Sequence, residues 1–264
     1  MRHIKKLWAF VLSAALVFGI LAIPVSVQAA NVTLTHTKGK NASDVRTLKK
    51  IIAQQKEKGV KLSADLDEDV YMWSEDGRLT GIRWYGLKGR VSFSGLSKLQ
   101  GILCEDGRLT SLDVSENKEL TSLECRNNGL ASLNLSNNKK LGFLDCAKNK
   151  LKKLDISKNP DIISLYCEEN KLTSLNVSKC KEMGTLNCQE NRLTSLNISK
   201  CTQLRWLNCY DNKLKDLDLS KNTILQNLQC RNNQIASLDL SENMNLYGLD
   251  CDENVDVTGW VNQK

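Results

Sequence analysis

Eight cysteines recur at intervals of 21 residues, and this regularity constrains the fold of the chain more than any other feature. Each cysteine lies in the same short phrase, of which Leu120-Thr-Ser-Leu123-Glu-Cys125-Arg-Asn-Asn128 is one copy. A fixed period of this length is typical of stacked coils in which each coil contacts its neighbours, rather than of a globule with one centre. The cysteine row comprises Cys104, Cys125, Cys146, Cys167, Cys188, Cys209, Cys230 and Cys251.

The repeating unit, numbered from its first leucine, reads L-x-x-L-x-C-x-x-N-x-L-x-x-L-x-[V/L/I]-S-x-[N/C]-x-x. Alternation of apolar and polar residues around Leu123-Glu-Cys125 predicts a short strand with one buried face. The second half alternates in the same way, as in Leu133-Asn-Leu135, so we predict two short strands per coil. Full copies start at Leu99, Leu120, Leu141, Ile162, Met183, Leu204 and Leu225, and a partial eighth copy starts at Leu246.

The apolar positions of the unit supply a core only when coils are stacked. Six inward positions over seven full coils give 42 core residues. Burial of each stabilises the fold by roughly 1.5–3 kcal/mol, which offsets the entropy of ordering the chain only in a continuous stack. A single coil is therefore not expected to fold alone.

The phrase L-x-x-L-x-C-x-x-N-x-L resembles the leucine-rich repeat, with cysteine in place of leucine at the sixth position. The 21-residue period, with a second L-x-x-L-x-L nested inside it, resembles the short bacterial subclass of that family and its internalin-like surface and secreted proteins. The resemblance covers residues 99–254. It implies a right-handed solenoid, mostly β, with shallow curvature and with the first strands joined in one parallel sheet.

Both ends of the chain depart from the repeat. Residues 1–29 are predicted to be a signal peptide, because Arg2, Lys5 and Lys6 precede an apolar run that small residues follow. An uncleaved membrane anchor is the alternative. Cleavage would leave a secreted or cell-surface protein with no membrane span.

Four further segments are predicted for the mature chain. Residues 30–42 form a polar tail, and residues 43–98 form an N-terminal cap that consists of a helix, from Ser43 to near Gly59, and a degenerate coil. The cap contains W-x-x-x-G-R-L-T-G-I from Trp73 to Ile82, which resembles the cap of many leucine-rich repeat proteins. Residues 99–254 hold the eight repeats, the last of them partial, and residues 255–264 form a C-terminal cap.

Charge and histidine content exclude several functions. The chain has 37 Lys and Arg against 30 Asp and Glu, so removal of the three basic signal residues leaves a net charge of +4. That excess is too small to indicate nucleic-acid binding. His36 is the one histidine after residue 29 and lies in the predicted tail, so no Ser-His-Asp or Cys-His site is expected in the repeats. We predict no cofactor and no bound metal.

Asparagine at position 9 forms a second row, which should satisfy backbone groups at the turns because an amide both donates and accepts hydrogen bonds. Serine at position 17 is expected to satisfy backbone groups in the same way at the opposite edge of the coil. A calcium site is disfavoured, since carboxylates do not recur at ligand spacing. The asparagine row comprises Asn128, Asn149, Asn170, Asn191, Asn212, Asn233 and Asn254.

Ten cysteines in an exported chain would ordinarily indicate disulfides. Equivalent Cβ atoms on neighbouring parallel strands lie about 4.8 Å apart, whereas a relaxed disulfide needs about 3.8 Å. We therefore interpret the eight-cysteine row as buried, reduced, apolar filler. Cys180 and Cys201 replace asparagine at position 19 of adjacent coils. Two interpretations stay open: a Cys180–Cys201 disulfide, or a simple exchange of asparagine for cysteine with no bond.

A partner is expected on the outward positions 3, 5 and 7 of the first strands, here called the first-strand face. Positions 13 and 15 of the second half are monotonous, whereas the first-strand face varies and holds every aromatic residue of the full coils. Exposed aromatic residues are typical binding anchors. We predict partner-binding residues Phe143, Tyr166, Trp206, Tyr210, Tyr247, Glu124, Asp145 and Glu168, with a patch from Tyr166 to Tyr210 centred on Trp206.

The predicted function is an exported, non-enzymatic module that binds a protein partner, with the chain itself a monomer. The face carries six acids and two bases, which opposes an anionic polymer as ligand. Alternatives are carbohydrate binding, since aromatic rings also stack on sugars, and a passive structural surface protein. A polysaccharide-active β-solenoid enzyme is a remote alternative, because acids on a strand face are usually solubilising. Ice binding is disfavoured because lysines interrupt the Thr and Ser rows.

Overall fold

The structure is a computed structural model that describes residues 32–260. The predicted signal peptide therefore lies outside the described residues, as do the last four residues of the predicted C-terminal cap. Within residues 32–260, no helix has the length and apolar character needed to cross a membrane.

The described chain contains one helix near its start, followed by short strands. Helix α1 spans Ala42–Glu57. The strands are β1 (Tyr71–Trp73), β2 (Leu79–Tyr85), β3 (Lys88–Ser92), β4 (Gly101–Glu105), β5 (Arg108–Asp113), β6 (Ser122–Glu124), β7 (Phe143–Asp145), β8 (Ser164–Tyr166), β9 (Thr185–Asn187), β10 (Trp206–Asn208), β11 (Asn227–Gln229), β12 (Ser237–Asp239), β13 (Gly248–Asp250) and β14 (Asp256–Thr258).

The first strands of successive coils form one sheet of ten strands, in the order β1-β2-β4-β6-β7-β8-β9-β10-β11-β13. Pairing is parallel except between β1 and β2, which are antiparallel. In the repeats the register advances by one period, so that Leu207 pairs with Leu186 on one side and with Leu228 on the other. The chain is thus a β-solenoid of about eight turns, as the period predicts.

The core is a continuous column of the predicted inward side chains. Leu144, Cys146 and Leu151 of the third coil are fully buried, as are their equivalents in neighbouring coils. Packing is weaker at the last coil, where Leu249 and Cys251 are only partly buried. Interior coils are therefore protected by neighbours on both sides, as the stacking requirement predicts.

The prediction of a second strand in every coil is wrong for the middle of the solenoid. A second strand forms in the first coil (β5) and in the seventh (β12). Strand β5 pairs with β3 of the degenerate coil, and β12 pairs with β14, which lies in the predicted C-terminal cap. The amide that opens this half of the coil donates to an asparagine side chain of the next coil, both in β5, where Leu109 donates to Asn128, and in the coils without a second strand. For example, the Leu151 amide donates to the Asn170 side chain rather than to a backbone carbonyl.

The N-terminal cap closes the first coil through two buried polar side chains of α1. The Asp44 carboxylate accepts hydrogen bonds from Arg78 Nε at 2.8 Å and from the Leu79 amide at 2.9 Å. Near the other end of the helix, Gln55 exchanges hydrogen bonds with the backbone of Lys88. The helix begins at Ala42, because the Asn41 side chain accepts from two amides of the first turn.

Aromatic side chains fill the space beneath this helix. Trp84 packs edge-on against Tyr71 and tilted against Phe93, and all three are buried. The segment predicted to be a polar tail also joins the cap: Val32 is buried and Thr35 pairs with Asp65. At the other end, the Trp260 indole donates to the Leu246 carbonyl and lies against the core.

Candidate functional site on the first-strand face

The turn after each first strand is set by a residue in the left-handed region of backbone conformation. This residue is at position 8, and its φ lies between 51° and 53° in seven coils. Lysine and glutamate rarely adopt that conformation, yet three of the seven are of these types. The residues are Asp106, Asn127, Lys148, Glu169, Glu190, Asp211 and Asn232.

The asparagine at position 9 braces this turn and joins it to the preceding coil. In the fourth coil, Asn170 Nδ2 donates to the carbonyls of Cys146, Cys167 and Glu168 at 3.0–3.2 Å, while Oδ1 accepts from the Leu151 amide. The bonds recur for the other asparagines from Asn128 to Asn233. Asn254, in the last coil, is exposed.

Asparagine at position 19 has a hydrogen-bonding role that the sequence pattern did not indicate. Its Nδ2 donates to carbonyls of positions 16 and 19 in the preceding coil, as Asn159 does to Leu135 and Asn138. Its Oδ1, however, is buried without a hydrogen-bond partner in the described structure. The residues concerned are Asn117, Asn138, Asn159, Asn222 and Asn243.

Cys180 and Cys201 take the place of this asparagine, and both thiols are free. Cys180 Sγ donates to the Asn159 carbonyl at 3.5 Å and Cys201 Sγ to the Val177 carbonyl at 3.6 Å. A thiol keeps one donor while removing the buried acceptor that asparagine leaves unpaired. This accounts for the exchange of residue type without a disulfide.

The eight-cysteine row faces the core, and its thiols are free as well. Burial raises the pKa of the Cys188 thiol to about 12 and of Cys125, Cys146, Cys167 and Cys209 well above the ordinary value. Because the thiolate is the reactive form, burial of these thiols favours a packing role over a chemical one.

The aromatic residues of the first-strand face lie in two groups instead of one patch. Phe143 and Tyr166 are in contact, with ring centroids 5.7 Å apart. Trp206 and Tyr210 lie two coils beyond Tyr166, or about 10 Å at the spacing of parallel strands. The fifth coil between them presents polar side chains, and Tyr247 is 63% exposed at position 2 of the last coil.

The predicted acidic residues lie in the second to fourth coils, beside the Phe143–Tyr166 pair and around one arginine. Arg126 passes over the small, buried Ala147 and reaches Glu168, with Nη1 2.5 Å from Oε1. The same Nη1 lies 3.8 Å from Asp145 Oδ2. Glu168 is only 3% exposed, and its second oxygen has no hydrogen-bond partner in the described structure.

Glu124 lies directly beside Asp145 in the sheet register and is 8% exposed. Burial, reinforced by neighbouring carboxylates, raises the pKa of Glu124 to about 8, of Glu105 to about 7 and of Asp145 to about 6.

We predict that these carboxyls make the protein less stable as the pH rises. Their pKa is raised on folding, so the folded state retains protons that the unfolded chain releases, and the free energy of unfolding falls between about pH 4.5 and pH 8. Glu124→Gln should remove on the order of 2 kcal/mol of that fall. Urea denaturation at pH 5 and at pH 8.5 measures it.

The exposed Glu190 supplies the control, because Glu190→Gln removes the same charge from the exposed turn that follows the first strand of the fifth coil. This variant should follow the wild-type pH dependence. Equal slopes for wild type and Glu124→Gln would contradict the prediction.

Two contributors to this face lie in the degenerate coil, which sequence reasoning assigned to the cap alone. Register pairing of β2 with β4 aligns Arg83 with Leu103 at position 5 and Tyr85 with Glu105 at position 7. Tyr85 is 45% exposed, unlike the buried cap aromatics. The recurrence of E-D-G-R-L-T at Glu75 and Glu105 is the sequence signal that could have extended the face into this coil.

A leucine framework with a 21-residue period, closed at each turn by an asparagine, defines this chain as a leucine-rich repeat solenoid. No protein-family model matches the sequence, and no curated protein matches it. Among solved structures, the chain is similar to the functional domain of InlJ from Listeria monocytogenes, which includes a cysteine ladder. The two are 28% identical with a TM-score of 0.64 over 76% of this chain and 43% of that one.

Two further structures share the fold. The internalin InlF from Listeria monocytogenes is 20% identical, with a TM-score of 0.56 over 66% of this chain and 54% of that one. A plant ice-binding protein is 21% identical, with a TM-score of 0.68 over 83% and 81%. The chain thus spans less than half of the InlJ structure and about half of the InlF structure.

Proposed function

We propose that the protein is an exported, non-enzymatic module that binds a protein partner through its first-strand face. The observation that carries the proposal is the placement of Phe143, Tyr166, Trp206 and Tyr210 at outward positions that stacking does not require. All four are partly exposed on one sheet surface. The likeness to internalins supports a protein-interaction module and a location outside the cell.

The structure adds a reason why the opposite half of the coil is monotonous. Asp or Asn at position 15 accepts a hydrogen bond from the amide of the serine at position 17, as Asp155 does from Ser157. The same bond forms in coils with Asn134, Asn176, Asn197, Asp218 and Asp239. The turn therefore constrains which residues can stand at position 15. The first-strand face has no such constraint, so its residues can vary to suit a partner.

We predict that Trp206→Ala/Tyr210→Ala weakens binding of the partner by more than about tenfold, because aromatic anchors of this kind contribute 2 kcal/mol or more at hot spots. The partner would be captured with the chain lacking residues 1–29, purified, and titrated by calorimetry. Lys152→Ala/Lys215→Ala, on the second-half surface, is the control and should bind like wild type.

Unchanged affinity of the Trp206→Ala/Tyr210→Ala variant would refute the assignment of this face. Binding to arrayed glycans, lost in the same variant and without any protein partner, would favour the carbohydrate alternative instead, because aromatic rings also stack on sugars.

A further inference from the structure

A line of exposed cations runs along one edge of the second-half surface in the third to sixth coils. Positions 10, 12 and 13 hold seven Lys and Arg residues there and one acid, Asp216, which gives a net charge of +6. All seven basic residues are exposed. This basic edge comprises Lys150, Lys152, Lys153, Lys171, Arg192, Lys213 and Lys215.

The position-10 cations of the basic edge are stacked in register. The Lys171 amide donates to the Leu151 carbonyl of the preceding coil at 2.8 Å. The equivalent bonds, at 2.8–2.9 Å, are made by the amides of Lys150, Arg192 and Lys213. Neighbouring coils are about 4.8 Å apart, so four like charges recur along a line of about 14 Å. Like charges at this spacing repel one another and reduce stability.

The fold does not require a cation at position 10, where the second coil has Gly129 and the seventh has Gln234. The cations of the basic edge are also not neutralised, because none of the seven forms an ion pair with a residue that the structure describes. A row of stacked cations that the coil neither needs nor neutralises creates a positive potential suited to an anionic ligand.

The acids nearest to this edge in the sequence, at position 8, interact with other groups. Glu169 forms an ion pair with Lys148 at 2.9 Å. Asp211 and Glu190 raise the pKa of Tyr210, a residue of the first-strand face, so their carboxylates lie near its hydroxyl group. These acids therefore do not cancel the charge of the basic edge.

The composition of the basic edge favours a phosphate polymer over a protein or a bilayer as its ligand. None of the large apolar residues exposed in the described chain lies on it, and every aromatic residue of the full coils is on the first-strand face. Protein hot spots and membrane-surface helices rely on such anchors. Between the cations, exposed hydroxyl groups at Thr173 and Thr194 can donate hydrogen bonds to phosphate oxygens.

We propose that the basic edge binds a linear phosphate polymer, aligned with the solenoid axis so that successive phosphates meet the stacked position-10 cations. Lysine and arginine both form charge-assisted hydrogen bonds with phosphate oxygens. The basic edge shares no residue with the first-strand face, so this proposal does not rest on the proposed function.

The test is fluorescence anisotropy with end-labelled inorganic polyphosphate and the chain lacking residues 1–29. Four phosphate contacts predict that log K falls with log salt concentration with a slope of about −3, a loss of roughly fiftyfold between about 50 and 200 mM salt. Orthophosphate at the same phosphate concentration should not displace the polymer, because a single phosphate cannot bridge successive coils.

The variant Lys150→Gln/Lys171→Gln/Arg192→Gln/Lys213→Gln should weaken polyphosphate binding by about tenfold or more and make the salt slope shallower. It should stay folded, because it removes mutual repulsion and because glutamine already stands at position 10 in the seventh coil. A urea denaturation midpoint no lower than that of wild type checks this.

The matched control removes four charges from position 18 of the same coils and is Lys158→Gln/Lys179→Gln/Lys200→Gln/Lys221→Gln. Positions 15, 18, 20 and 21 of these coils together hold five cations and four acids, so this opposite edge has little net charge. Because salt screens the remaining attraction, the control should bind within about threefold of wild type. Equal weakening by the two quadruple variants would mean general charge attraction and overturn the assignment.

Equal displacement by orthophosphate would overturn the polymer, and absence of polyphosphate binding would overturn the proposal altogether. In the latter case, binding to phosphatidylglycerol vesicles would assign the basic edge to a bilayer instead. The proposed function is tested separately, because Trp206→Ala/Tyr210→Ala should bind polyphosphate like wild type although it loses the protein partner. Failure at one surface therefore leaves the test of the other intact.

Discussion

Asp44→Ala is expected to lower the free energy of unfolding by about 3 kcal/mol, because it leaves the buried Leu79 amide without an acceptor and removes the partner of the partly exposed Arg78. Asp44 is fully buried, and its two oxygens accept from Arg78 Nε, Arg78 Nη2 and the Leu79 amide at 2.8–3.0 Å. These bonds attach α1 to β2, so their loss should release the cap and expose the first coil. Urea denaturation, followed by far-ultraviolet circular dichroism, measures the effect.

Asp76→Ala is the control for this prediction. Asp76 is exposed, and its carboxylate contacts the Ser74 hydroxyl in the turn that precedes β2. Its removal should leave the denaturation midpoint almost unchanged. A midpoint for Asp44→Ala close to that of Asp76→Ala would show that the ion pair does not hold the cap.

The solenoid itself follows from the sequence, because a strict period allows few physical solutions. An inward side chain such as Leu144 or Cys146 can be buried only by its equivalents one period away. The same constraint predicts the parallel register in which Leu207 pairs with Leu186 and Leu228. Periodicity is thus sufficient to predict the buried residues and the strand register, because the packing of these residues is the same in every coil.

The prediction of a second strand in every coil failed because periodicity does not indicate which group forms a hydrogen bond with each backbone amide or carbonyl. Leu133 and Leu135 alternate with polar residues as a strand would, and they are buried as predicted. The Leu135 carbonyl, however, accepts from the Asn159 side chain of the next coil rather than from a strand partner. An alternating pattern therefore identified the buried face without identifying the hydrogen-bonding partner.

The sequence predicted which acidic and aromatic residues lie on the first-strand face, but not which of them are in contact. Outward positions 3, 5 and 7 were sufficient to find the acids and aromatics, since alternation in a strand fixes the face. The path of a long side chain is not periodic: Arg126 skips the third coil to reach Glu168 because Ala147 is small. The burial of Glu124 and the division of the aromatics into two groups depend on such neighbours.

Asn191→Ala is expected to destabilise the solenoid by about 3 kcal/mol, because it leaves buried backbone groups of two coils without partners. Asn191 Nδ2 donates to the Cys167, Cys188 and Gln189 carbonyls at 3.0–3.1 Å, and Oδ1 accepts from the Leu172 amide at 2.9 Å.

Two variants separate this hydrogen bonding from loss of side-chain volume. Asn191→Asp keeps the volume and the acceptor for the Leu172 amide but faces three carbonyls with a negative charge, so at neutral pH it should destabilise at least as much as alanine. Asn233→Ala removes the same set of bonds at a partly exposed turn near the end of the stack, where water can replace them, and should cost clearly less. A mild effect of Asn191→Asp, or equal effects of the two alanine variants in urea denaturation, would mean that the asparagine row fills space rather than satisfying the backbone.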